Sequence, residues 1–453
     1  MLKKIKTIHM VGIGGSGMSG IAEVLLNLGY KVTGSDLKHS DVTNRLEELG
    51  AEIYYGHKSE NVGKVDVVVI SSAVSESNPE VLKAHKNAIP VIPRAEMLAE
   101  LARMKYTITI AGTHGKTTTT SMVALVLQVG GLDPTVIIGG RLKNFSSGAK
   151  LGKGDFMVAE ADESDGSFLK LSPTIAVVTN IDDDHLDHYG KMEVLNQAFV
   201  DHVNKVPFYG CSILCGDDSG VQSILGKIQR QYYTYGLDSK TNITARNIVR
   251  TDSGYKFNIV YNNKNIGQIK LNVSGRHNIQ NALAAVCCGI ELDIPFEKIK
   301  NALEEFSGVS RRLEFKGETK GIIFLDDYGH HPTEIISTLK AVREKYPERK
   351  SIVIFQPHRF TRTKILHKKF GPAFKDADMV KLMEIYPAGE KSISGISSKL
   401  ILKEILKYNK NASIFNPAKE LEKFAMDLKP NTVVLTLGAG DVWKLDEKII
   451  EYL

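Results

Sequence analysis

The stretch AGTHGKTTTT (111–120) sets a lysine and a threonine directly after a glycine turn. Backbone N–H groups in such a turn, and at the start of a helix that follows it, converge on an anion. Lys116 would reach the β- and γ-phosphates of ATP, and the Thr117 hydroxyl would ligate Mg²⁺. The usual spacing is GxxxxGK[ST]. Ile110 stands where its first glycine belongs, and Gly112 supplies that glycine instead, giving a shorter GxxGKT loop. Gly112, Thr113, His114, Gly115, Lys116, Thr117 and Thr118 are the candidate ATP-binding segment. Carboxylates follow where a Mg²⁺–phosphate site needs them. VAEADESD carries Glu160, Asp162 and Glu163, and TNIDDDHLDH carries Asp182, Asp183, Asp184 and His185. Hard oxygen ligands suit Mg²⁺, with histidine a less usual partner.

A second anion cradle opens the chain. Gly12, Gly14 and Gly17, followed by Asp36, fit the dinucleotide fingerprint in spacing and in strand–turn–helix context. A nicotinamide-dependent oxidoreductase therefore stays open. Such an enzyme has no need of a separate ATPase core, however. Two cradles in different parts of the chain point to two phosphorylated ligands, ATP and a diphosphate that is only held, as a UDP-sugar would be. Further on, Arg359 and Arg362 of QPHRFTRT could grip a carboxylate in a fork. His330 and His331 precede Pro332 at a helix start. A histidine there would either accept a proton near neutral pH or only position the substrate.

These residues need strands and helices to place them. TIHMVGI, KVTGSD and VDVVVISSAV read as buried parallel strands. Met18, Ile21, Ala22, Leu25 and Leu28 mark one helix face. From Tyr106 the pattern restarts with TITIAG, a helix over TTTTSMVALVLQVGG, and strands DFMVAEAD and TIAVVTN. Alternating runs from about Asn242 to Val273, broken at Asp252-Ser253-Gly254 and Asn262-Asn263, predict antiparallel hairpins added to that sheet. IIFLDDY, SIVIFQ, MVKLMEI and TVVLTLGAG are the strands of a third α/β unit. The fold class is α/β in three domains. A Rossmann-like nucleotide-sugar domain covers 1–105, a central P-loop domain with added antiparallel strands covers 106–310, and a Rossmann-like α/β domain covers 311–453.

Length and composition agree with this plan. The 453 residues suit about three domains. The net charge of +6 is spread without a basic block, so no nucleic-acid partner is expected. Cys211, Cys215, Cys287 and Cys288 form no CxxC pair and read as buried apolar residues in a reducing compartment. MLKKIK is basic, but the apolar run after it breaks at His9 and the glycines, so no signal peptide is expected. No stretch approaches the roughly eighteen apolar residues of a membrane span. A cytoplasmic protein is expected, off the membrane, as a monomer or weak homodimer.

GIGGSGMSG, AGTHGKTTTT, EADESDGSF, TNIDDDHLDHY, GRHNIQNALAA, SRRLEF, DDYGHHPTE and QPHRFTRT together resemble the Mur ligase family. The last two point to its alanine-adding branch, and the likeness covers nearly the whole chain. The resemblance implies an ATP-dependent ligase that joins L-alanine to the carboxylate of UDP-N-acetylmuramate through an acyl phosphate. That function serves peptidoglycan precursor synthesis. It implies UDP-sugar binding by Gly12, Gly14, Gly15, Ser16, Gly17, Asp36, Ser71 and Ser72. Mg²⁺ would be held by Thr117, Glu160 and His185, and adenine would lie near Asn278 and Asn281. The ribose would lie near Asp327, with Arg312 on the transferring phosphate. L-alanine would sit among Tyr328, His330, Arg359 and Arg362. Lys116, His330 and Arg312 are the implied catalytic groups. Relatives that add later residues use a carbamylated lysine in the helix after the HLDHY-type motif. Residues 192–202 hold no lysine, as in the alanine-adding branch. A tripeptide-adding recycling ligase of the same domain order remains the alternative within the family.

Overall fold

The computed structural model describes residues 5–71, 73–138, 149–237 and 240–453. Among them lie three sheets, one in each stretch of chain where the sequence predicts an α/β unit. The first contains β1 (Thr7–Val11), β2 (Lys31–Asp36), β3 (Glu52–Tyr55), β4 (Val67–Ile70) and β5 (Val91–Pro93). Its order is β3-β2-β1-β4-β5, all parallel. Alternate residues of its strands face opposite cores, Ile8 and Met10 on one side and Val11 and Val68 on the other. Both faces of the central strands are covered, which is why β4 reads as a continuous apolar run.

The second sheet contains β6 (Tyr106–Ala111), β7 (Thr135–Ile137), β8 (Ala149–Lys150), β9 (Phe156–Glu160), β10 (Ile175–Val178), β11 (Cys211–Cys215), β12 (Tyr232–Gly236), β13 (Ile243–Arg250), β14 (Tyr255–Tyr261) and β15 (Lys264–Leu271). Its order is β15-β14-β13-β12-β11-β10-β6-β9-β7-β8. The hairpins appear where the turn residues predict them. Asn262 and Asn263 both adopt positive φ, as a two-residue turn between β14 and β15 requires. The third sheet contains β16 (Glu314–Thr319), β17 (Ile322–Asp327), β18 (Lys350–Phe355), β19 (Met379–Leu382), β20 (Ala412–Ile414) and β21 (Thr432–Leu437). Its order is β16-β17-β21-β18-β19-β20, parallel except for β16. β16 is polar and only partly covered, so its sequence gives no buried-strand signal.

The chain forms two compact units. The first takes in the chain to Val249 with Lys256–Leu271 and Ile279–Ser307, and so contains the first sheet and most of the second. One core runs from Ile8 and Met10 through Ala159 and Val178 to Leu214. The second unit takes in Arg250–Tyr255, Asn272–Asn278 and Gly308–Leu453. Ile323 and Leu325 of β17 face one of its cores, and Ile322 and Phe324 face the other.

The first helix (Ser16–Asn27) buries Met18, Ile21, Ala22 and Leu25 as its period predicts. Leu28 departs from that expectation. It lies past the helix end and is exposed, because the helix stops one residue short of it. All four cysteines are buried. No helix among the described residues is long and apolar enough to cross a membrane.

Candidate active site

The P-loop leaves β6 at Ala111 and enters the helix Lys116–Gly130. Gly112 sits at φ +128°, where a Cβ would collide with the Thr179 hydroxyl. Gly115 caps the helix in the left-handed region at φ +80°. The loop is strapped to the chain after β10. Thr113 N donates to Asn180 O (3.1 Å) and His114 N to Asn180 Oδ1 (2.8 Å). His114 O accepts from the Thr179 hydroxyl (2.6 Å) and from Asn180 Nδ2 (3.0 Å), and His114 Nε2 lies 3.1 Å from Asp182 Oδ2. Thr113 and His114 therefore brace the loop. An anion is left to the N–H groups of the first helical turn, which have no partner within the helix.

Lys116 Nζ donates to Gly112 O (2.7 Å) and to both oxygens of Glu163 (2.9 and 2.8 Å). Burial works against its charge, but Glu163 and Asp162 outweigh it and hold the ammonium above the usual lysine range. Burial also opposes the charge on Asp162. Lys116, with smaller help from Ser164 and Arg94, prevails and lowers that carboxyl. Glu163 is fully buried, and its backbone carbonyl accepts the Tyr189 hydroxyl (2.6 Å). His185, at φ +61°, places Nε2 3.7 Å from Glu163 Oε1 and 3.6 Å from Asp184 Oδ2. Glu160 ends β9 in register with Ile110 of β6, next to the loop. The hydroxyl of Thr117, the carboxylate of Glu160 and the imidazole of His185, expected from the sequence as metal ligands, are donor types compatible with Mg²⁺. Asn281 Oδ1 accepts from the Thr119 hydroxyl (3.1 Å) and would lie 3.0 Å from a Cβ at Gly115, so this asparagine supports the loop's last glycine. Asn278 donates from Nδ2 to Ser274 O (2.6 Å), which closes the first turn of its helix.

At the first sheet, Gly12 N and Ile13 N both donate to Ser35 O (2.8 and 3.0 Å), and Gly14 N donates to Asp36 Oδ2 (2.9 Å). Asp36, expected near the uridine diphosphate, is thus engaged with the glycine turn itself. Gly15 N donates to Gly12 O (3.2 Å), and Ser16 opens the helix. A Cβ at Gly12 would approach Ser71 Oγ at 3.3 Å. Ser72 lies outside the described residues. Beneath this loop, the fully buried Glu80 accepts from the Ser35 hydroxyl (2.6 Å), Asn61 Nδ2 (2.7 Å) and Lys58 N (3.1 Å), and lies 3.1 Å from His9 Nε2. Burial alone would raise its pKa, but the bonds from His9, Ser35 and Asn61 prevail and bring it down to about 2.

The second unit builds its own cluster. Tyr328 lies between two guanidinium groups, with Arg311 at 4.9 Å and Arg312 at 5.3 Å from its ring centre. Arg311 is held by Asp326 Oδ2 (3.1 Å), by Gly438 O (2.6 Å) and by Gly440 O (3.3 Å). Arg312 reaches Glu334 Oε1 at 3.5 Å. A row of rings runs Tyr328–His330–His358–Tyr386, with neighbours 5.5, 5.6 and 5.8 Å apart. Arg359 caps the helix Phe360–Ala373 at φ +71°, and its N–H donates to Tyr386 O (2.9 Å). Arg362, one turn on, has Nη1 3.3 Å from His358 Nδ1. His331 caps the helix Pro332–Lys345, and Glu334 accepts from His330 N (2.9 Å). Asp327 is buried and accepts from Leu313 N (2.7 Å), Gly329 N (2.8 Å) and the Thr338 hydroxyl (3.2 Å). Burial pushes its carboxyl up to about 6, against the pull of Arg312. Its oxygens face the chain's own backbone and fix the turns that carry Arg312 and Tyr328.

Arg311, His358 and Tyr386 stand in these clusters without having been chosen as site residues from the sequence, and Glu163, expected among the carboxylates of the phosphate site, pairs with Lys116. Glu163 and His358 sat inside recognised motifs. Arg311 neighbours Arg312 in SRRLEF, but only the tertiary fold shows which of the two meets Asp326. Tyr386 carries no local signal.

The models for "Mur ligase family, catalytic domain", "Mur ligase middle domain" and "Mur ligase, glutamate ligase domain" match residues 7–106, 110–289 and 311–440. A protein of Endomicrobium trichonymphae named UDP-N-acetylmuramate–L-alanine ligase is 54% identical over 450 residues, 99% of each chain. A protein of the same name from Geobacter sulfurreducens is 54% identical over 456 residues, covering 100% of this chain and 99% of that one. The crystal structure of the UDP-N-acetylmuramate–alanine ligase of Thermotoga maritima superposes with a TM-score of 0.84 at 31% identity, covering 98% of both chains. A murein peptide ligase of Psychrobacter arcticus, at 23% identity and a TM-score of 0.75, shares the fold.

Proposed function

The chain belongs to the Mur ligase family, and from that premise we propose that it joins L-alanine to the carboxylate of UDP-N-acetylmuramate, with ATP converted to ADP and phosphate. It is an ATP-dependent amide-bond-forming ligase of peptidoglycan precursor synthesis. The observation that carries this reading is the 54% identity, over essentially the whole of both chains, to ligases of that name.

A carboxylate oxygen of the muramoyl group attacks the γ-phosphorus, and ADP leaves. The α-amine of L-alanine then attacks the acyl phosphate carbonyl. Phosphate leaves through a tetrahedral intermediate, and the amine's proton passes to a base. Two anions must meet in the first step, so their charge has to be neutralised. Lys116, with Gly112, Thr113, His114, Gly115, Thr117 and Thr118, forms the phosphate cradle. Thr117, Glu160 and His185 would hold Mg²⁺, which supplies charge neutralisation on the phosphates. Arg312 attends the transferring phosphate. Asn278 and Asn281 lie toward the adenine and Asp327 toward the ribose, while Asn281 also steadies the P-loop and Asp327 the Tyr328 turn. The turn Gly12–Gly17 with Asp36, Ser71 and Ser72 takes the nucleotide sugar. Arg359 and Arg362 grip the carboxylate of L-alanine beside Tyr328 and His330, and His330 orients the amine or accepts its proton. We expect a monomer or weak homodimer in the cytoplasm, with no part for nucleic acid or membrane.

The test is phosphate release from purified protein with UDP-N-acetylmuramate, ATP and Mg²⁺. Release that starts only when L-alanine is added supports the proposal. Release with a tripeptide and none with L-alanine assigns the chain to the recycling branch. A change at 340 nm with NAD(P)H in place of ATP would restore the oxidoreductase.

A further inference from the structure

We propose that Arg94 grips the diphosphate of the nucleotide sugar against the N-terminus of the helix Ser16–Asn27, held in place by Asp162. The inference rests on the reading above that this loop binds a UDP-sugar, and adds a residue that no motif marks.

The glycine loop has few donors to offer. The N–H groups of Gly12 and Ile13 go to Ser35 O, that of Gly14 to Asp36 and that of Gly15 to Gly12 O. A diphosphate is left with the first-turn N–H groups of Ser16 and Gly17. Two amides are a weak match for a doubly charged group, so a cation is needed beside them. Arg94 stands there. A Cβ on Gly17 would collide with its Nη1, and would lie 3.0 Å from its guanidinium carbon. The third glycine of the fingerprint thus makes room for a guanidinium. Its usual role of close helix–strand packing is not what the structure shows at this position.

Arg94 is itself poorly explained by its own helix. It is the first residue of Arg94–Ala102, the end of a helix where the macrodipole disfavours a cation. Ala95, Met97, Leu98 and Leu101 are buried and fix that helix, and β5 delivers it at the carboxyl edge of the first sheet. The ion partner of Arg94 is Asp162, with Nη2 3.8 Å from Oδ2. Asp162 directly precedes Glu163, the carboxylate that binds Lys116 Nζ, so one short stretch of chain meets both Arg94 and the P-loop lysine. A planar fork beside two amides recognises a diphosphate in two places at once.

Arg94→Gln should weaken the binding of both UDP-N-acetylmuramate and UDP by about 20- to 100-fold in calorimetry. Its affinity for a non-hydrolysable ATP analogue should stay within about twofold. Gly17→Ala, with Arg94 intact, should weaken UDP binding comparably by displacing the guanidinium. Should Arg94→Gln fold poorly, Arg94→Lys decides, with an expected loss of about fivefold to tenfold. Wild-type affinity for UDP in the Arg94 variants overturns the proposal, and so does a matching loss of ATP-analogue affinity. A wild-type protein that binds no UDP-sugar at all overturns the functional reading instead.

Discussion

Both carboxylate oxygens of Glu163 hold Nζ of Lys116, at 2.9 and 2.8 Å. The pair fixes the P-loop lysine in its charged form next to the turn where phosphate is to bind. In the proposed reaction the ammonium would be shared between this buried carboxylate and the γ-phosphate. Lys116→Ala should therefore lower turnover by about a thousandfold or more, since charge neutralisation at the γ-phosphate is lost. UDP-sugar binding belongs to another sheet and should stay within about threefold of wild type. Calorimetry of the variant with UDP-N-acetylmuramate checks this. Lost sugar affinity would contradict the division of labour between the two cradles.

Arg359 is set at φ +71° as a helix cap, and Arg362 lies one turn later beside His358. A carboxylate gripped in a fork needs planar guanidinium groups, which lysine does not supply. Arg359→Lys should raise the KM for L-alanine about tenfold and leave the KM for ATP within about twofold. Steady-state kinetics with each substrate varied separately gives both values. An unchanged alanine KM would remove Arg359 from the amino-acid pocket.

Asp446 is buried against the Thr436 hydroxyl (2.8 Å). Burial, with Asp326 adding to it, pushes its carboxyl up to about 8. The unfolded chain titrates near 4. Between those values the folded protein binds the extra proton, so this group's stabilising contribution is present at low pH and is lost as pH rises toward 8. Asp446→Asn keeps a neutral side chain and should stabilise the second unit at pH 8 by on the order of 2 kcal/mol, with little effect near pH 4. Trp443 is the only tryptophan and lies in that unit, so urea unfolding followed by its fluorescence reads the effect. An equal pH slope in both proteins would refute it.

Glu80 has the opposite sign. Its carboxyl, lowered to about 2 in spite of burial by bonds from His9, Ser35 and Asn61, stabilises the folded state above the unfolded value near 4. That contribution is lost as pH falls toward 2. Glu80→Gln leaves buried donors poorly matched and should cost about 3 kcal/mol at pH 7, with the difference from wild type shrinking in acid. Hydrogen exchange at β1 and β2 reports it, and a variant as protected as wild type at neutral pH would count against the network.

Much of this site was legible in the sequence where local chemistry dictates spacing. Gly115-Lys116-Thr117 declares a phosphate turn because only that order puts a lysine and a hydroxyl on the first turn of a helix. The strands before Gly12 and Gly112 are legible because their apolar residues alternate with small or hydrogen-bonded polar ones, such as His9, Thr107 and Thr109, that burial on both faces still accepts. What could not be read were choices made by tertiary contact. Asp327, expected near a ribose, also accepts from Leu313 N, Gly329 N and the Thr338 hydroxyl, and the bonds to Leu313 and Thr338 depend on the tertiary fold. Glu163 rather than Asp162 takes Lys116 directly, a difference of one residue that depends on how the chain turns after β9. Arg94 opens an ordinary helix, and only the fold brings it onto Gly17. β16 was hidden by its polar edge-strand composition.

Activation of the sugar's carboxylate by ATP is the step on which the proposed function depends most directly. UDP-N-acetylmuramate labelled with ¹⁸O in that carboxylate should pass one labelled oxygen to the inorganic phosphate released when L-alanine is added, with ADP as the other product. Unlabelled phosphate, or AMP and pyrophosphate in place of ADP and phosphate, would contradict it.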